Sequence, residues 1–222
     1  MTVVAPARRG GASTGHLWLA CHEAGHAVAH LVCNQARGHG PMLKSVSILA
    51  SGERLGFCEA DARFPLGFSR DTPDYLRQPM RVSALLDLID TLAGPIAELR
   101  CRQGSLGPWL GMAPAMAAIL AFPPDVKPTG DFEVAAVKAR LWGEPSLILS
   151  AAWNTSRALV CREWAGIRAV GQLLRERGEL DGEQFEAAWL SMRPSLRRRS
   201  AYDAHEGAGS FGDIFGRLLA LA

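Results

Sequence analysis

A Gly-x-x-x-x-Gly-Lys-Ser/Thr run is absent from the 222 residues, so the chain offers no phosphate-cradling loop of the NTPase kind. ATP is therefore not an expected partner. No Cys-x-x-Cys pair exists either. The five cysteines stand apart at 21, 33, 58, 101 and 161, an odd number that suits reduced thiols better than a disulfide framework. Met1 to Gly15 carries two arginines and many small residues but no apolar core, so it does not read as a secretory signal. A cytoplasmic location is the expectation. The net charge is only +2, which makes no case for nucleic acid. No internal repeat is evident.

A membrane span is also missing, although one stretch resembles it. Gln103 to Pro124 has no charged residue and carries Trp109, Leu110, Met112, Met116, Ile119, Leu120 and Phe122. Gly104, Gly107, Pro108, Gly111 and Pro114 interrupt it, leaving less than the roughly 20 continuous apolar residues a spanning helix needs. The segment is predicted to be a buried or groove-lining insertion, a lid or a contact between protomers of a homo-oligomer, rather than a membrane contact.

What is present is enough for a sizeable core. Apolar residues make up 48% of the chain, with charges of both signs, as in a globular domain with an appendage. Apolar spacing of three and four predicts helices over 17–35, 82–102, 132–142 and 147–177. Pro95 is expected to kink or split the second of these. Val46 and Ile48 alternate with serines, and Leu55 to Ala60 follows a turn at 51–54, so a β-hairpin is predicted. Asp181 and Gln184 have capping-box spacing before a last helix, which Pro194 is expected to close. The fold class is thus α+β, mainly helical, with a small hairpin or sheet. Residues 1–15 read as a disordered tail, 16–192 as the domain with its insertion near 103–128, and 193–222 as a C-terminal tail.

Chemistry concentrates in Cys21-His22-Glu23-Ala24-Gly25-His26. Residues four apart on a helix stand one above the other, so His22 and His26 can offer two imidazole nitrogens to one cation. Glu23 stands beside them, within reach of a metal-bound water. This is the two-ligand, one-base arrangement of a zinc hydrolase. Ala24, Val28, Leu31 and Val32 form the apolar stripe of that helix. His22, His26, Ala29 and Cys33 lie on another face, predicted to border a cavity.

A catalytic zinc site takes a third protein ligand. The candidates are His30, Glu98 and Asp131. Three imidazoles in line on a straight helix cannot converge on one ion, so His30 reads as an ordinary, partly exposed histidine. Glu98 lies on a helix whose other residues face inward, and Asp131 stands at a helix start, where aspartate is also a common cap. Residue chemistry leaves those two open.

The chain also resembles a known family, the peptidase domain of the FtsH zinc metalloproteases. HEAGHAVA at 22–29 has the family's wording, and KSVSILASGERLGFCEA at 44–60 is similar to its strand and hairpin. LLDLIDTLAGPIAELR at 85–100, TGDFEVAAVKAR at 129–140 and RAVGQLLRERGELDGEQFEAAW at 168–189 follow in the same order. The resemblance covers about 17 to 190. It implies zinc held by His22, His26 and Asp131, Glu23 as the general base, and polypeptide substrates. It departs from the family in three places: Gly130 stands where an asparagine is usual, Pro95 falls within a family helix, and 103–128 is longer than the family's connection. Family members carry an ATPase module that this chain lacks, so the expectation is an ATP-independent zinc metalloendopeptidase acting on unfolded or flexible chains. The alternatives are a non-catalytic zinc-stabilised binding module and a peptidase subunit served by a separate ATPase. Tyr75, His30 and His205 are the candidates for an additional oxyanion donor.

Overall fold

The computed structural model describes residues 16–37, 42–50, 55–60, 74–104, 112–123, 125–140 and 144–203. In chain order these form α1 (Leu17–Arg37), β1 (Leu43–Ser47), β2 (Phe57–Ala60), α2 (Asp74–Gln103), α3 (Met112–Ala121), α4 (Asp131–Ala139), α5 (Pro145–Arg177), β3 (Glu179–Asp181) and α6 (Gly182–Asp203). The fold is α+β and mainly helical. Residues 1–15 and the 51–54 turn lie outside the described residues, as does the end of the expected tail.

Small residues bring α1 into the middle of the protein. Ala20, Cys21, Ala24, Ala27, Val28, Ala29 and Cys33 are all fully buried. The helix is therefore covered on nearly every side. The expected cavity border is corrected accordingly: Ala29 and Cys33 sit in the core, and only the His22–His26 end of that face opens. Helices α1 and α2 cross closely because no side chain separates them. A Cβ on Gly25 would stand 2.7 Å from the Cβ of Ala97 and 2.8 Å from the carbonyl oxygen of Ala93. On the other side of α1, α5 comes up against Cys21 at Gly171.

Helix α2 runs unbroken from Asp74 to Gln103, through Pro79 and Pro95. The expected split at Gly94-Pro95 does not occur. An interior proline costs about 3 kcal/mol. Leu88, Ile89, Leu92 and Ile96 lie around it with no more than 1% exposure, and each contributes about 1.5–3 kcal/mol on burial. Packing outweighs the proline. Helix α6 likewise passes Pro194 and ends at Asp203, so the expected close at Pro194 is also corrected.

The sheet has the order β2-β1-β3, all antiparallel. The hairpin pairs Val46 with Cys58 and Ser47 with Phe57. Strand β3 was not foreseen, being three residues long and too short to show alternation. It leads directly into α6, where the Asp181 carboxylate accepts the backbone N–H of Gln184 at 2.8 Å, the N-terminal cap its spacing suggested. Within 103–128, α3 rests on α4 and α5 and sends Ile119 into the core. Among the described residues, no helix is long and apolar enough to cross a membrane.

Candidate metal centre

Three elements meet at the centre. Helix α1 supplies His22, Glu23 and His26; α2 supplies the groups that hold the rings; α4 supplies Asp131. The position of α4 follows from its anchors. Ala135, Ala136 and Ala139 are buried, and the Lys138 ammonium donates to Thr91 Oγ1 on α2 at 3.0 Å. Phe132 lies against Trp153 of α5, with ring centroids 6.5 Å apart. Gly130 is the N-cap residue and has no side chain to cap with; the Glu133 carboxylate accepts from the Gly130 N–H at 3.2 Å and from the Thr129 hydroxyl at 2.9 Å. Glu133 thus does the capping, and the Asp131 carboxylate is left to face α1. The helix dipole favours its negative charge there.

The two rings have their outer nitrogens committed. His26 Nδ1 donates to the carbonyl oxygen of Asp90 at 2.7 Å, and His22 Nδ1 donates to Glu98 Oε2 at 3.0 Å. Both Nε2 atoms therefore turn inward, 3.1 Å from each other. Asp131 Oδ2 lies 2.9 Å from His22 Nε2 and 3.4 Å from His26 Nε2. Two ring nitrogens and a carboxylate oxygen thus converge on one point, an arrangement that a shared proton or a metal ion would hold together.

The spacing fits a metal. Donors about 2.0–2.1 Å from one ion at tetrahedral angles lie about 3.3 Å apart. The edges of 2.9, 3.1 and 3.4 Å scatter around that value. His22, His26 and Asp131 also form the one cluster of potential metal ligands among the described residues. Imidazole nitrogens with a single carboxylate oxygen suit zinc.

The electrostatics agree. Burial works against a charged His22, yet its hydrogen bonds to Asp131 and Glu98 outweigh that and raise its pKa to about 10. Burial likewise opposes charge on His26, and the Asp131 carboxylate overrides it. Asp131 is pushed up by burial but held well below the carboxylate range by His26 and His22. Glu98 is held low chiefly by the His22 hydrogen bond. Metal entry must displace the proton that His22 retains up to pH of about 10. Raising the pH toward that value removes the competitor, so zinc affinity should climb as the pH rises above neutrality. Calorimetry in buffers of different ionisation heat should find protons released as zinc binds at pH 7.5. A pH-independent affinity would refute the assignment.

Glu23 is buried at 6% exposure beside the rings, and burial raises its pKa while the two histidines oppose that rise. It belongs to no ligand set. A Cβ on Gly56, one residue before β2, would stand 2.7 Å from Glu23 Oε1, so the edge strand begins against the carboxylate.

Other sequence candidates fall elsewhere. His30 is buried, not partly exposed as expected, and its Nδ1 lies 3.3 Å from Asp90 Oδ2. Glu98 is brought to the outer side of the His22 ring, not to the point of convergence. The side chain of Tyr75 and the whole of His205 lie outside the described residues. Sequence reading missed Asp90 and Gly94. A Cβ on Gly94 would come within 2.5 Å of His26 Cε1 and 2.6 Å of Cδ2. Asp90, Gly94 and Glu98 recur every four residues, one stripe of α2 facing the two histidines, and that periodicity was the available signal.

No family model and no curated protein matches this chain.

Proposed function

We propose that the protein is a zinc metalloendopeptidase that hydrolyses unfolded or flexible polypeptides without ATP, with an FtsH-like peptidase domain. The observation that carries this reading is the convergence of His22 Nε2, His26 Nε2 and Asp131 Oδ2 beside a buried carboxylate, Glu23, with no ligand role. A site that only stabilised a fold would have no use for such a base. When bound, zinc supplies Lewis acidity, lowering the pKa of water to about 7 and polarising a carbonyl.

The chain's own residues do the rest. His22, His26 and Asp131 hold the ion, and Glu98 and the Asp90 carbonyl fix the two rings. Glu23 takes a proton from the attacking water, holds it, and returns it to the departing amine nitrogen as the C–N bond breaks. Among the described residues β2 pairs with β1 alone, and the reading places an extended peptide along its other edge. A peptide laid there would run past Gly56 and bring a carbonyl toward Glu23. Folded domains rarely expose such a segment, since opening one draws on a stability of about 5–15 kcal/mol. The odd number of widely spaced cysteines suits a reducing compartment such as the cytoplasm.

The test is digestion of casein and of a stably folded reporter by zinc-loaded protein, with and without ATP and chelator. Casein should be cut and the reporter spared, ATP should change nothing, and chelator should stop the reaction. Intact casein in the presence of a fully zinc-loaded protein would end this reading.

A further inference from the structure

Behind the rings, four side chains close a circuit between two helices. Trp18 and His22 are four apart on α1, and Glu98 and Arg102 are four apart on α2. Each pair therefore lies along one face. Glu98 uses both carboxylate oxygens: Oε2 accepts from His22 Nδ1 at 3.0 Å, and Oε1 accepts from Arg102 at 2.8 Å. The Arg102 guanidinium carbon lies 4.0 Å from the centroid of the Trp18 ring. Trp18 is itself backed by His16, stacked at 5.5 Å and 14°. The circuit begins and ends on α1, the helix that carries His22 and His26.

We propose that Arg102, seated on Trp18, is a positioning residue for the metal: it fixes Glu98, and through Glu98 the orientation of the His22 ring. This inference rests on the reading of the site as a metal centre. An imidazole can turn about its Cβ–Cγ bond, and a hydrogen bond at Nδ1 selects both its tautomer and its orientation. A carboxylate tied at one oxygen can still swing. Glu98, tied at both, cannot. Trp18 does for Arg102 what Arg102 does for Glu98, since the guanidinium stacks on the ring face with the loss of little further freedom.

Two other effects of Arg102 must be weighed. Its charge repels a dication, so deleting it would by itself tighten binding. The side chain is 48% exposed, which screens that repulsion to about a twofold effect. Its place in the last turn of α2 also suits the helix dipole, and a lysine would serve that equally. Outer partners of a ligating histidine are worth about 10–100-fold in affinity. Ordering should therefore win over repulsion.

The experiment is zinc affinity by competition with a chromogenic chelator, together with the visible spectrum of the cobalt(II)-substituted protein. It uses wild type, Arg102→Ala, Arg102→Lys and Trp18→Ala. Arg102→Ala should bind zinc about tenfold more weakly and show altered cobalt bands. Trp18→Ala leaves every charge in place and should lose about threefold, with the bands altered in the same sense. Arg102→Lys should recover part of the loss. If wild type binds zinc and the Arg102→Ala and Trp18→Ala proteins match it within twofold, the inference is wrong and the metal centre stands. Weaker binding with an unchanged cobalt spectrum would likewise overturn it, since a merely structural role predicts that result. A wild type that binds no zinc would instead remove the metal reading itself.

Discussion

Gly94→Ala is expected to empty the metal site while leaving the fold intact. In the interior of a helix, alanine is more favourable than glycine by about 0.5–1 kcal/mol. On propensity alone the variant should be the more stable protein. The added methyl group, however, would overlap the His26 ring, within 2.5 Å of Cε1 and closer still to Nε2. Retreat of α2 would open its close contact with α1 at Gly25 and unpack Leu88, Ile89, Leu92 and Ile96, all buried. The ring must leave, and with it go the hydrogen bond to Asp90 and one of three ligands. Losing a ligand should weaken zinc by at least about a hundredfold. Elemental analysis should fall from about one zinc per chain to near none, with the thermal midpoint of the metal-free protein unchanged or raised. Full zinc occupancy in this variant would mean that His26 does not hold the ion.

Glu23→Gln is expected to separate binding from chemistry. The substitution keeps the shape and leaves His22, His26 and Asp131 untouched, so zinc should remain at about one per chain. An amide cannot accept a proton from water, and a positioned general base is worth about 10²–10⁴-fold. Casein cleavage should fall by about a thousandfold, below detection in an ordinary digest. The site's own packing offers an independent check. Gly56→Ala would place a methyl group 2.7 Å from Glu23 Oε1, displacing the carboxylate without touching any ligand. It too should retain zinc and lose most activity. Undiminished cleavage in Glu23→Gln would remove Glu23 from the mechanism, whatever the metal content.

Proline positions show where local reading failed. Pro95 looks like a break in isolation, and its cost is real. The decision belonged to Leu92 and Ile96, which are buried by contacts from chain segments far away, and no window around residue 95 contains that information. His30 was misjudged for the same reason: a histidine on a helix reads as surface until α2 brings Asp90 alongside. The three-residue β3 carries too few positions to show a period, and exists because β1 offers it an edge.

What the sequence determined by itself was whatever depends on spacing along one element. His22 and His26 share a face because a helix repeats every 3.6 residues, and the hairpin follows from alternation around a turn. Asp181 caps α6 because its side chain reaches three residues ahead. The resemblance pointed to Asp131, but only the tertiary structure shows why that carboxylate, and not Glu98, meets the histidines. Glu98 and Asp131 were both open on residue chemistry. The choice depended on Gly25, Ala93 and Ala97 setting the α1–α2 distance, which left Glu98 behind the His22 ring. It depended equally on Glu133 taking over the cap of α4 and on Lys138 anchoring that helix, which turned Asp131 toward both Nε2 atoms. Residues more than a hundred positions apart converge only through packing, and packing is a property of the assembled core.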